Sequence, residues 1–130
     1  MPDVLLSVSG IRFSVAFLKA QFALRGETAR VATQVPSPRP AKFVRVRQMG
    51  SSRANVVQVA PMVLFECWAD DPIAAEDLGI LTESLINALP DLSTDCSRVN
   101  EVGGLYQDVD PDSGTPRWIF TKQIYLRASV

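Results

Sequence analysis

The chain has 130 residues, 47% of them apolar and 21% charged, which are the proportions of one globular domain able to bury its own core. It contains no histidine, and this removes the commonest general base and the commonest metal ligand. Two cysteines, Cys67 and Cys96, provide neither a zinc spacing nor a disulfide framework, and no run approaches the roughly 20 apolar residues of a membrane span.

No signal-peptide pattern opens the chain, so the expectation is one domain over residues 1–130, with free thiols in a reducing compartment. The formal net charge of −1 hides an asymmetry. Residues 1–53 carry nine Lys/Arg against Asp3 and Glu27, a net of +7, whereas residues 54–130 carry four against twelve acidic residues, a net of −8. Such a split suits nucleic-acid binding, or opposite charges meeting across a subunit contact, or simply a solvated surface.

In chain order, MPDVLLSVSG is short and apolar with a Ser/Gly break, a docking arm or an extra strand. Ile11, Val15, Leu18 and Phe22 then recur at spacings of three and four, which predicts a helix up to Arg25 with Gly26 as its stop. ETARVATQV reads as a short strand. PSPRPAK follows, where Pro36, Pro38 and Pro40 at alternate positions forbid a helix and favour a stiff extended arm without Pro-x-x-Pro spacing.

KFVRVRQ alternates Phe43, Arg45 and Arg47 with Val44 and Val46, a strand with one buried and one basic face. MGSSRAN reads as a polar connection, with Arg53 in it. In VVQVAPMVLFECWAD, Val57, Val59, Val63, Phe65 and Cys67 share one face and Gln58, Leu64, Glu66 and Trp68 the other. The pair predicts an antiparallel hairpin, and Pro61 predicts an edge or a bulge in its second arm.

Asp71-Pro72 opens the strongest helix, aspartate suiting the N-cap and proline the first turn. Its expected stripe is Ala74, Leu78, Leu81, Leu85 and Ala88, ending at Pro90. SRVNEVGGLYQ then reads as a strand with a bulge at Gly103-Gly104. PRWIFTKQIYLRA reads as the closing strand, its face of Trp118, Phe120, Ile124 and Leu126 broken by Lys122. This order predicts an α+β fold, a mostly antiparallel sheet with helices packed on one face.

Asp108, Asp110 and Asp112, followed by Ser113 and Gly114, raise the question of a cation loop. An EF-hand loop needs glycine at its sixth position and glutamate at its twelfth, and counting from Asp108 these are Ser113 and Ile119. Asp-Pro-Asp-Ser-Gly is instead strong turn chemistry between two strands. No glycine-rich phosphate loop, nucleophile elbow or Cys-x-x-Cys pair occurs, so no catalytic, cofactor or metal residue is expected. Arg45, Arg47 and Arg53 are candidate partner contacts. Aromatic residues do not interleave them in the manner of a base-stacking surface.

One layout carries a resemblance. The strand NVVQVAPMVLFECWAD runs straight into DPIAAEDLGILTESLINALPDL, and the chain closes with VNEVGGLYQDVDPDSGTPRWIFTKQIYLRA. From about Arg12 to Arg127 this resembles the tail terminator (tail completion) proteins of long-tailed bacteriophages, especially those of actinobacterial phages. The resemblance implies a non-enzymatic virion protein, assembled in the host cytoplasm at the neck of the tail. It would form a homo-oligomeric ring, a hexamer in that family, that caps the tail tube, ends its polymerisation and meets the head–tail connector. DNA would only pass through the lumen, and no membrane or cofactor is implied. The interface candidates are Arg45, Arg47, Arg53, Arg117, Pro36, Pro38, Pro40, Asp108, Asp110 and Asp112. A head-completion or connector ring is the nearest alternative, and a small nucleic-acid-binding module the next.

Overall fold

The computed structural model describes residues 6–55 and 57–128. Its fold is α+β: a five-stranded, mostly antiparallel sheet with the helices packed against it. Elements follow the order α1 (Gly10–Arg25), β1 (Arg30–Ala32), β2 (Lys42–Asn55), β3 (Gln58–Ala69), α2 (Pro72–Asn87), α3 (Leu89–Leu92), β4 (Cys96–Val109) and β5 (Pro116–Arg127). The strands lie in the order β1-β2-β3-β5-β4, with β1 parallel to β2 and every other pair antiparallel. Of MPDVLLSVSG, residues 1–5 lie outside the described residues, and residues 6–9 hold only an isolated bridge before Ser9, the N-cap of α1.

Both ends of α1 and the start of α2 are written locally. The Ser9 hydroxyl accepts from the Arg12 N–H at 3.1 Å, and Gly26 closes α1 at φ 71°, a conformation that favours glycine. The Asp71 carboxylate accepts from the Ala74 N–H at 2.9 Å, with Pro72 in the first turn of α2. Pro90 stands in the first turn of α3, immediately after α2 has ended.

Both helices are turned from the expected stripes. The buried residues of α1 are Gly10, Ser14, Leu18 and Phe22, while Ile11 and Val15 are half-buried. Those of α2 are Ala75, Leu78, Gly79, Thr82, Leu85 and Ile86; Ala74, Leu81 and Ala88 flank that line. Small residues make the closest approach in both. A methyl group on Gly10 would stand 2.7 Å from Pro61 Cγ, and one on Gly79 would stand 3.0 Å from Leu105 Cδ1. Beneath them the core runs through Val44, Val46, Val63, Cys67, Ile124 and Leu126, with Phe65 and Phe120 stacked at 4.9 Å.

Two strand expectations are corrected. MGSSRAN is not a connection: β2 continues to Asn55, shifted in register between Gln48 and Gly50. Its exposed polar residues Ser51, Ser52 and Arg53 pair with the buried stretch Val59–Pro61, and the ladder that β3 requires outweighs their turn-like composition. Asn55 accepts from the Val57 N–H at 2.9 Å at the turn itself. Pro61 is not on an edge, because β3 is the middle strand. It is buried opposite Ser51, where pairing with β5 passes from Val59–Leu126 to Met62–Gln123 and the Gln123 amide donates to the Ala60 carbonyl at 3.2 Å. The irregularity falls in the neighbouring strand.

The expected break at Lys122 is also different in kind. Lys122 lies on the helix-facing side and is only 2% exposed. Its ammonium stands 3.1 Å from Glu83 of α2 and 3.4 Å from Glu101 of β4.

Candidate functional site

The helices cover one face of the sheet, and on the other face strand alternation places Phe43, Arg45 and Arg47 of β2 beside Leu64, Glu66 and Trp68 of β3. On the next strands Arg117 and Ile119 of β5 stand beside Asp108 and Tyr106 of β4. Glu66 is 1% exposed and sits at the centre. Its Oε2 accepts from Arg45 Nε at 2.9 Å, its Oε1 accepts from Arg117 Nη1 at 2.9 Å, and Arg47 Nη1 lies 3.6 Å away. Arg117 then turns its Nε and Nη2 onto Asp108 Oδ2 at 3.0 and 2.6 Å, with Asp110 Oδ1 at 3.9 Å. Partial burial pulls the Arg117 guanidinium down, but Asp108 and Glu66 more than offset this and hold it above its ordinary value.

An aromatic patch borders the ion pairs. Trp68 stacks on Phe43 at 5.2 Å, and the guanidiniums of Arg39 and Arg117 each lie 5.3 Å from its ring centroid. Arg39 also donates to Thr115 and, at 3.4 Å, to Ser113. It thereby joins the proline segment to the tip of the last hairpin. That tip is a formed turn: Gly114 at φ 71° donates its N–H to the Asp110 carbonyl at 2.8 Å, and the Asp110 carboxylate accepts from the Ser113 hydroxyl and N–H. The Ser113 hydroxyl is the main reason that the Asp110 carboxyl sits below its usual range.

The candidates named from the sequence therefore divide. Arg45, Arg47 and Arg117 converge on Glu66, and Asp108 and Asp110 join the cluster through Arg117, at 2.6 and 3.9 Å. Pro36, Pro38 and Pro40 line the arm that Arg39 ties down, with a cis peptide before Pro38. Arg53 stands apart at the far end of β2, 3.5 Å from Ser7. Asp112 is exposed at the tip. The aspartates do not converge on one point, since Asp108 serves Arg117 and Asp110 serves Ser113. Among the described residues no group of three or more His, Cys, Asp or Glu is placed to hold a metal ion.

The basic strand face is not a free cationic surface, because Glu66 of the adjoining strand pairs with Arg45 and stands 3.6 Å from Arg47. Glu66 and Trp68 were assignable to this face by alternation alone, but nothing in the sequence names Arg117 as their partner across the sheet. Arg39 had no signal beyond its place between two prolines. The thiols are quiet: burial pushes Cys67 up to about 12, and burial also raises Cys96. No helix among the described residues is long and apolar enough to cross a membrane. No protein-family model and no curated protein matches the chain.

Proposed function

We propose that this chain is a ring-forming tail terminator of a long-tailed bacteriophage. In this reading it caps the tail tube, ends tube polymerisation and joins the tail to the head connector. The observation that carries the reading is where the two blocks of resemblance lie. FECWAD ends β3 and leads into α2, while YQDVDPDSGTPRW forms the tip of the β4–β5 hairpin, and Glu66, Trp68, Asp108 and Arg117 interlock the two. Residues scattered over half the chain thus serve one patch on the face that no helix among the described residues covers. A rigid, charge-balanced patch beside stiff loops suits repeated contact between protein surfaces better than it suits turnover of a small substrate.

The test is assembly. Purified protein examined by negative-stain microscopy is expected to form six-fold rings, and when added to isolated tail tubes it is expected to cap one end and stop further growth. Protein that neither forms rings nor caps tubes would overturn the reading. Rings that seat on a head connector but ignore tubes would move it to the connector class.

A further inference from the structure

The sheet ends in two open edges of unlike character. β1 is three residues long, and its outer side meets no strand among the described residues. Outside the ladder with β2, no backbone–backbone hydrogen bond among the described residues involves residues 30–37. Between this edge and α1 run two contiguous cavities of about 530 and 280 Å³ that share Lys19, Arg30 and Val31. Val15, Phe22 and Val35 add apolar lining. Lys19 and Arg30 are exposed, and neither is in an ion pair among the described residues.

The other edge is β4, fourteen residues long and, among the described residues, paired with no strand on its outer side. β4 carries neither lysine nor proline, but register shifts against β5 at Cys96/Arg98, Glu101/Gly103 and Gly103/Tyr106 interrupt it and leave Arg98–Glu101 and Tyr106–Val109 as its regular runs. It exposes Val102, Tyr106 and Val109, each more than half open, together with the carboxylate of Glu101. One edge is therefore a short cationic slot with an apolar lining, and the other is a long strand bearing exposed apolar and acidic side chains.

We propose that these edges are two halves of one contact, in which β4 of one copy of this chain extends the sheet beyond β1 of the next. Glu101, on the helix side of β4, then faces the groove under Lys19 and Arg30, while Tyr106 continues the opposite face of the sheet. Strand addition satisfies the open backbone groups of both edges, and the groove supplies selectivity through charge and apolar contact. Using different surfaces on the two partners makes the contact heterologous, so it propagates until it closes. The proposal deepens the ring reading above and rests on it for that closure.

Two exposed-surface variants test it: Lys19→Glu/Arg30→Glu in the groove and Val102→Lys/Tyr106→Lys on the edge, with folding of each verified by thermal denaturation. Light scattering after size exclusion should show oligomers for the unaltered protein and at least about tenfold weaker association for each variant alone. An equimolar mixture of the two variants should give dimers and nothing larger, because one working edge remains on each partner. A mixture that stays monomeric, a groove variant that assembles normally (β4 pairing with β4), or an unaltered protein still monomeric at roughly 100 µM would each overturn the contact. Tube capping separates the two ideas. Capping without this contact would sink the inference alone, and this contact without capping would sink the tail-terminator reading alone.

Discussion

Lys122 and Glu66 are charged residues that the fold takes out of water on opposite faces of the same sheet. Glu66 meets guanidiniums from two strands, and Lys122 meets a carboxylate from α2 and another from β4. Breaking a buried pair is expensive because the surviving charge stays desolvated, although Glu83 keeps some access to water. Lys122→Met should therefore destabilise the protein by about 2 kcal/mol in urea denaturation, less than a fully buried pair would lose. Adding Glu83→Gln should recover at least half of that loss, whereas an unchanged midpoint in the single variant would mean that the pair contributes nothing.

Acid should act through two other carboxyls. Partial burial raises Glu27, but Lys42 at 2.6 Å and the N–H of Ala29 outweigh that effect and leave it below its ordinary value of 4.5. Asp110 is lowered through Ser113. Both groups bind protons more tightly in the unfolded chain, so the stability they contribute is present above the unfolded values and is lost as pH falls through the folded ones. The denaturation midpoint should decline between about pH 5 and pH 3, and Glu27→Gln together with Asp110→Asn should flatten that decline.

At the scale of elements, the strands were legible because a period of two leaves no freedom of phase. Val44 and Val46 had to oppose Phe43, Arg45 and Arg47, and they do. The helices were legible in position and capping but not in rotation. A stripe of large apolar residues marks a broad face, while the line of closest approach is chosen by the smallest residues, Gly10 and Ser14 in α1 and Ala75 and Gly79 in α2. Gly79→Ala tests this point. An alanine there ordinarily gains about 1 kcal/mol of helix propensity, yet its methyl would meet Trp118 Cβ at 3.2 Å as well as Leu105. Overpacking should outweigh propensity and leave a net loss of about 1 kcal/mol by thermal denaturation, and a stabilised variant would show that β5 yields easily.

At the scale of the whole molecule, the basic first half and the acidic second half meet within one chain. Arg45 and Arg47 find Glu66, and Lys122 finds Glu83 and Glu101. Lys19 and Arg30, like Arg12 and Arg25, are in no ion pair among the described residues, and Lys19 and Arg30 are the cations on which the edge contact draws. Arg39 joins the proline arm to a hairpin tip more than 70 residues away. Arg39→Ala should change global stability by less than about 1 kcal/mol, as suits an exposed tie. Amide exchange over residues 33–41 should nonetheless accelerate, and capping should weaken if the arm reaches an adjacent ring. Unchanged exchange would show that the prolines alone hold the arm.

By itself the sequence determined the two long helices with the Gly26 stop and the Asp71-Pro72 start, the faces of the strands, the bulge near Gly103 and the turn at Asp110–Gly114. Each is set by groups a few residues apart, through backbone geometry and local hydrogen bonding. Only the tertiary structure decided that β2 runs through MGSSRAN, that Pro61 sits in the middle strand, and that Lys122 is buried as a paired charge. It alone brought Asp108, Arg117 and Glu66 into one patch. These outcomes depend on register and packing between segments tens of residues apart, where the partner across the sheet, rather than the neighbour along the chain, sets the energy.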